Sequence, residues 1–245
     1  MSHFTSHETI AAETDTPLFI FGDHASKFIP PAFDNLGLSG EDLTRHIAWD
    51  IGTDFIIRKL CETFECGAQI ASVSRLVIDM NRDPDAAGLI PPQSDGSLIP
   101  ANQNLSADDA RNRCDTYYTP YHAALGTQLK QVSSDLDNPL IISLHSFTPH
   151  PLTGEERETD IGLLVKHDFE TAERFVASFE GTGLSVKINK PYSAYELNHT
   201  VDMHVAPLGL RHLAIEIRQD HIDTDETAAA MADLLTQHIR PLLGA

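Results

Sequence analysis

The chain has 245 residues, of which 36 are acidic and 17 are basic, so its formal net charge at pH 7 is −19. This length suits one α/β domain. A surface this acidic repels phosphate backbones and anionic membranes, which argues against nucleic-acid and membrane partners. No apolar run approaches the roughly 20 residues that cross a bilayer, no secretory leader is evident, and the three cysteines are too scattered for a disulfide framework. We therefore expect a cytoplasmic protein.

Strand-length apolar segments recur along the chain after a polar stretch, residues 1–17, that we predict to be flexible. The segments are nearly continuous in apolar residues, as expected for strands that are covered on both faces of a sheet. The predicted strands are residues 18–21, 68–79, 140–144, 161–165, 184–188 and 213–217. The long segment 68–79 has room for two strands, which favours a mixed sheet.

Helical patterns alternate with these strands, at residues 41–64, 108–136, 169–179 and 226–243. The first two follow Ser39 and Ser106, each with an aspartate three residues later, in the manner of a capping box. Asp223 is the predicted N-cap of the last. Alternating strands and helices predict an α/β fold, a three-layer sandwich with a mixed, mostly parallel central sheet, in a single domain over residues 18–245.

Two of the predicted strands lead directly to a histidine. His24 follows the strand 18–21, and His145 follows the strand 140–144. Ligands in open α/β sheets lie outside the carboxyl ends of the strands, so the two histidines could meet at a metal ion. A single strand-end histidine is more often a solvated side chain, but two at one sheet edge favour a metal site.

A third metal ligand could come from His46 or Asp50. Catalytic zinc takes three protein ligands with nitrogen or oxygen atoms and keeps a fourth position open. His46 and Asp50 lie four residues apart in a predicted helix, which would place both on the same face. The spacing alone leaves either residue as the candidate.

Glu216 lies inside the otherwise apolar strand 213–217. A buried carboxylate without a partner is costly, so this position indicates either a function or a buried ion pair. A glutamate beside a zinc ion is the usual general base for amide hydrolysis. The structural alternative is an ion pair with Arg218, two residues on and on the same strand face.

Arg75 and Arg82 flank the end of the segment 68–79, with Asn81 between them. The planar guanidinium group grips carboxylates with two hydrogen bonds. In a protein with a charge of −19, such arginines are candidates for a pocket that binds a substrate carboxylate. The alternative is structural pairing with Asp79 or Asp83.

Five motifs in this order resemble those of the N-formylglutamate amidohydrolase family. No single motif is specific, but the resemblance covers residues 18–220, nearly the whole chain. The motifs are Asp23-His24-Ala25-Ser26 with Pro30, Arg45-His46-Ile47-Ala48-Trp49-Asp50-Ile51-Gly52, Ser74-Arg75-Leu76-Val77-Ile78-Asp79 with Asn81-Arg82, Ser143-Leu144-His145-Ser146-Phe147-Thr148-Pro149, and Glu216-Ile217-Arg218-Gln219-Asp220.

The resemblance implies that His24 and His145 are ligands of a zinc ion. The family is related in fold to the zinc carboxypeptidases, in which a glutamate stands three residues after the first histidine. This chain has Lys27 at that position. The third ligand is therefore taken to be Asp50 rather than His46, since a carboxylate completes a set of two histidines and one carboxylate.

The resemblance also implies how the other residues act. Glu216 would be the general base, and Arg82 would stabilise the oxyanion that forms on the substrate. Arg75, Asn81 and Arg82 would hold the carboxylate and the amide oxygen of the substrate, and Arg218 is added to this binding set.

The expected activity is zinc-dependent hydrolysis of the amide C–N bond of N-formyl-L-glutamate or a similar N-acyl amino acid, in amino-acid catabolism. The products are formate and the free amino acid. Alternatives are a metal-dependent peptidase or deacylase of another small carboxylate, and a binding domain that has lost catalysis. A hydrolase with a serine nucleophile beside a histidine is weaker, because no GxSxG motif occurs. The expected partner is a small molecule, and a homo-oligomer is compatible with the sequence.

Overall fold

A computed structural model describes residues 5–152 and 154–244 of the chain. Within these residues seven strands form one sheet and two short strands form a separate hairpin. The strands in chain order are β1 (His7–Ile10), β2 (Leu18–Gly22), β3 (Gly67–Ala71), β4 (Gln93–Ser94), β5 (Ser97–Leu98), β6 (Leu140–Phe147), β7 (Ile161–Leu164), β8 (Val186–Ile188) and β9 (Arg211–Arg218).

The strand order across the sheet is β1, β3, β2, β6, β9, β7, β8. The pairs β2–β3, β2–β6, β6–β9 and β7–β8 are parallel. The pairs β1–β3 and β7–β9 are antiparallel. Every residue of β2, β3, β6 and β7 is buried, as expected for a sheet covered on both faces. The prediction of a mixed, mostly parallel sheet is confirmed.

Helices cover both faces of this sheet and form the two outer layers that the sequence predicts. One core cluster joins the sheet to α1 (Thr53–Phe64), α4 (Phe169–Ser178) and α5 (Asp225–Leu243). The cluster on the other face joins it to α3 and to loops. No helix in the described ranges has both the length and the apolarity that a membrane crossing requires. The helices are α1 (Thr53–Phe64), α2 (Ala107–Arg113), α3 (Thr119–Asp135), α4 (Phe169–Ser178) and α5 (Asp225–Leu243).

The N-terminal stretch contains a strand, β1, that the sequence does not predict. Strand β1 pairs with β3 at the edge of the sheet, and Arg58 on α1 donates to both carboxylate oxygens of Glu8, at 2.8 and 2.7 Å. The flexibility expected of residues 1–17 stays a prediction, and residues 1–4 lie outside the described part. The assignment of residues 18–245 to one catalytic domain stays a prediction.

Two helix boundaries differ from the prediction. The helix predicted over residues 41–64 begins only at Thr53, because the amide of Asp50 donates to the carbonyl oxygen of His24, at 2.9 Å, instead of to a helical partner. The prediction that His46 and Asp50 share a helix face is therefore wrong. Helix α5 is capped by the side chain of Thr224 rather than by Asp223.

Residues 72–82, which we call the cross-linked loop, replace the second strand predicted within residues 68–79. The strand β3 ends at Ala71, and the buried apolar residues that follow lie in turns. Their carbonyl groups accept hydrogen bonds from side chains instead of from a neighbouring strand, which satisfies the buried backbone without a ladder. The pairs are Asn102 with Leu76, Arg113 with Val77, His122 and Thr200 with Met80, and Tyr118 with Arg82.

Candidate active site

The polar side chains predicted from the sequence gather at one end of the central strands. In the register of the sheet, His145 on β6 pairs with Glu216 on β9, and Glu216 pairs with Gly162 on β7. Residues directly opposite one another in a sheet have their side chains on the same face. Strand β2 runs parallel to β6, and the chain leaves it towards Asp23 and His24 at the same edge.

His24, Asp50 and His145 converge on one point. Nδ1 of His145 lies 2.9 Å from Oδ2 of Asp50, and Nδ1 of His24 lies 3.5 Å from the same oxygen. One ligand atom from each residue lies within 4.8 Å of the other two, and all three residues are buried. The group can hold a metal ion, and two imidazoles with one carboxylate form a donor set typical of zinc.

Contacts on the far side of both imidazoles fix the rings. Nε2 of His24 donates to Oδ1 of Asp79 at 2.6 Å, and Nδ1 of His24 is left buried without a hydrogen bond among the described residues. Nε2 of His145 lies 2.8 Å from the hydroxyl of Ser143 and 3.7 Å from Oδ2 of Asp23. Histidines that bind metals usually have the second nitrogen held in this way. The arrangement therefore fits a metal ion.

The carboxylates around the two histidines make the site attract positive charge. Burial opposes the charged form of His24, yet Asp79 and Asp50 raise the pKa of His24 to about 9. Burial also opposes protonation of His145, but its hydrogen bond with Asp50 and the charge of Glu216 raise its pKa overall. A bound cation would supply this positive charge in place of the protons.

Glu216 lies beside this cluster with only 9% of its surface exposed. Its carboxylate makes no hydrogen bond to the described residues and lines the cavity. Burial raises the pKa of Glu216 to about 7, with His145 opposing the shift and Asp50 adding to it. A carboxyl group with a pKa near neutrality can take up and release a proton at that pH.

The two predicted arginines differ in how firmly they are held. Nη2 of Arg75 donates to Oδ2 of Asp79 at 2.8 Å, and its Nη1 donates to Oδ1 of Asp50 at 3.4 Å. Arg82 has a looser pairing, with its Nε 3.8 Å from Oδ2 of Asp79. The guanidinium of Arg82 is therefore the freer of the two to bind a ligand.

A cavity of about 150 Å³ opens at the cluster. Oδ1 of Asn81 accepts a hydrogen bond from the amide of Thr200 at 3.0 Å, which leaves the NH₂ group of Asn81 able to donate to a ligand. The cavity is lined by His24, Asp50, Arg75, Asn81, Arg82, His145, Ser146, Leu164, Tyr192, Leu197 and Glu216. Most of the residues predicted from the motifs therefore meet in one place.

Arg218 is the predicted site residue that the structure does not bring to the cavity. Its guanidinium pairs with Asp220 at 2.7 Å and with Asp160 at 3.0 Å, at the end of β9. Arg218 therefore lies apart from the other residues of the predicted substrate-binding set. Because Arg218 pairs with Asp160 and Asp220, it forms no ion pair with Glu216. The structural alternative for Glu216 is therefore not supported.

His46 also lies apart from the cluster. Its Nε2 is 3.2 Å from Oδ2 of Asp95, a residue of the loop between β4 and β5. Asp50 is instead the residue that the turns after His46 carry to the two histidines. Between these two candidates for a third ligand, the structure favours Asp50.

Sequence reasoning missed some residues of the site. Asp79 could have been found, since an aspartate in an apolar run close to two arginines indicates a buried charged group. The sequence pattern indicates a partner for those arginines but not the contact of Asp79 with His24. Tyr192 comes from a loop without a recognisable motif. Leu164 and Leu197 supply the apolar wall, and nothing in the sequence distinguishes them from core leucines.

Comparison with known proteins identifies the family. The profile of the N-formylglutamate amidohydrolase family matches residues 16–222 of the chain. The chain belongs to this family. Its members are hydrolases that act on amide bonds, so the protein is an amidohydrolase. No curated protein matches the sequence significantly.

Two solved structures have a similar fold over nearly the whole chain. A gene product of Agrobacterium tumefaciens is 31% identical, with 98% of this chain and 96% of that chain covered and a TM-score of 0.93. An N-formylglutamate amidohydrolase of Ralstonia eutropha JMP134 is 19% identical, with 98% of each chain covered and a TM-score of 0.77. At that identity the second structure supports the fold alone.

Proposed function

We propose that the protein is a zinc-dependent amidohydrolase that cleaves the C–N bond of N-formyl-L-glutamate, or of a similar N-acyl amino acid. The observation that carries the proposal is the convergence of His24, Asp50 and His145 beside Glu216, in a chain from a family of amide hydrolases. A zinc ion held by His24, Asp50 and His145 would polarise the carbonyl group and activate a water molecule.

Glu216 acts first as the general base and then as the general acid. Its carboxylate takes a proton from the water that attacks the formyl carbon. It returns this proton to the amine nitrogen as the C–N bond breaks. The pKa of about 7 suits both steps at neutral pH.

The substrate carboxylate is bound by Arg82, because its guanidinium is paired only loosely, with Asp79 at 3.8 Å. Asn81 donates its NH₂ group to the substrate. Arg75, which is tied to Asp50, places a second positive charge near the reacting carbonyl group. The carbonyl group and the carboxylate of the substrate would then be bound by different arginines, Arg75 and Arg82.

A serine nucleophile is disfavoured by the positions of the hydroxyl groups. Ser143 is only 2% exposed and contacts His145 from behind the ring. Ser146 donates to the carbonyl oxygen of Ile51, and Ser26 donates to that of Ser72. A metal-dependent deacylase of another small carboxylate, and a binding domain without catalysis, are separated from the main proposal by experiment.

The test combines metal analysis with a substrate screen on the full chain. We expect one zinc ion per chain, hydrolysis of N-formyl-L-glutamate or another N-acyl amino acid, and loss of activity with a chelator that added zinc restores. His145→Ala should lose both zinc and activity, whereas His150→Ala, at an exposed histidine, should keep both. The zinc analysis does not depend on the correct choice of substrate.

Stoichiometric zinc in a His24→Ala, His145→Ala double variant would contradict the proposed ligand set. Activity that survives the chelator but is abolished by a serine-directed inhibitor would support the serine alternative. A zinc-loaded protein that binds N-acyl amino acids without hydrolysing any of them would indicate a binding domain.

A further inference from the structure

Tyr192 lines the cavity, yet its hydroxyl makes no hydrogen bond to any described residue. The residue is half-buried, so its hydroxyl is free to donate to a ligand. The ring itself is firmly held, because Phe147 meets it edge to face at 6.2 Å between centroids and the guanidinium of Arg157 lies 4.7 Å from its centre. Tyr192 therefore presents a fixed phenol with an unused donor to the cavity.

The position of Tyr192 follows from the space that Gly162 leaves on the sheet beside Glu216. Gly162 stands directly opposite Glu216 in the β7–β9 pair, so a side chain at 162 would share the face of the glutamate. The carbonyl group of Lys190 occupies that space, and any Cβ at Gly162 would collide with it. The chain then continues through Pro191 to Tyr192. The missing side chain thus admits the loop that carries the phenol.

The charged residues that act on the phenol include Glu216, Arg75 and Asp50, which lie around the proposed metal site. Burial raises the pKa of Tyr192 to about 12, Glu216 adds to this, and Arg157, on the face of the ring, opposes it. Arg75 and Asp50 act on it too. The hydroxyl is therefore protonated at neutral pH and can donate a hydrogen bond.

We propose that Tyr192 is a catalytic residue whose hydroxyl donates a hydrogen bond to the acyl carbonyl oxygen of the substrate as that oxygen becomes negatively charged. This inference rests on the proposed amide hydrolysis. A fixed donor aimed at a developing oxyanion stabilises the transition state more than the ground state. Arg157 and Phe147 hold the ring and are positioning residues.

The test is Tyr192→Phe in the zinc-loaded full chain, with Tyr195→Phe as the matched control, since Tyr195 is 66% exposed. Loss of one oxyanion donor typically lowers kcat by about 10²–10³-fold. We expect a fall of that order for Tyr192→Phe, with KM, zinc content and Tm little changed because the hydroxyl has no protein partner. Tyr195→Phe should match the wild type.

An unchanged kcat in Tyr192→Phe would overturn the inference while leaving the proposed function intact. A higher KM at constant kcat would also overturn it, since the hydroxyl would then bind the ground state equally well. If the zinc-loaded wild type hydrolyses no N-acyl amino acid, the proposed function fails and this inference fails with it.

Discussion

Replacement of Glu216 by glutamine separates catalysis from structure. Glutamine keeps the size of the side chain but cannot accept a proton, and general acid–base catalysis contributes about 10²–10⁴-fold. We therefore expect kcat to fall by that factor, an increase of about 3–5 kcal/mol in the activation barrier. The zinc content should not change, because Glu216 is not among the three proposed ligands.

Stability should respond in the opposite direction to activity. The carboxylate of Glu216 makes no hydrogen bond among the described residues, so glutamine removes none. Burial raises the pKa of Glu216 from 4.5 to about 7, so the ionised side chain opposes folding at neutral pH, and this cost is absent below the unfolded pKa. We expect the Tm of Glu216→Gln to equal or exceed that of the wild type.

The assay measures kcat, zinc content and Tm on one preparation of Glu216→Gln. Glu173→Gln, on the exposed face of α4, is the control and should resemble the wild type in all three. Full activity in a folded, zinc-loaded Glu216→Gln protein would refute the general-base assignment. A fall in Tm with kcat intact in the folded fraction would mean that Glu216 is structural.

Arg82→Lys keeps the charge but loses the two parallel hydrogen bonds of the guanidinium, so transition-state binding of acids should weaken by about 1–3 kcal/mol, a fall of about 5–150-fold in kcat/KM. Arg218→Lys, away from the cavity, should have no effect. Equal hydrolysis of neutral N-formyl amides would contradict this pocket. Asp79→Asn should weaken zinc binding by about 10–100-fold in a metal titration, and unaltered affinity would count against its role. Gly162→Ala should lower the free energy of unfolding by about 1–3 kcal/mol in denaturant titration, whereas Gly40→Ala, with open space around it, should not.

The central sheet was predictable because its strands are buried on both faces and read as continuous apolar runs. The same signal failed for the cross-linked loop, residues 72–82, whose apolar residues are as buried as those of a strand. What distinguishes the loop is the source of its hydrogen bonds, for example Arg113 and Tyr118, which lie more than 30 residues away in sequence. Local composition does not contain that information.

The candidate site was predictable where strand ends determine it and less so elsewhere. His24, His145 and Glu216 lie at or near the carboxyl ends of neighbouring strands, so their proximity follows from topology. Arg218 lies on the same strand as Glu216, but its guanidinium pairs with Asp160 from a different segment and not with the cavity residues. Tyr192 reaches the cavity because the loop after β8 packs against Gly162 of β7, a contact that no local sequence pattern indicates.

The cross-linked loop affects how the protein loses activity on heating. Its carbonyl groups are held by Asn102, Arg113, Tyr118, His122 and Thr200, none of which lines the cavity. If the layer of α2 and α3 opens, the buried carbonyl groups of Val77, Met80 and Arg82 lose these donors, so the loop cannot keep its structure while that layer is loosened. The arginines of the cavity and this helical layer therefore form one cooperative unit. Heat that loosens the layer would inactivate the protein while the opposite layer remains folded.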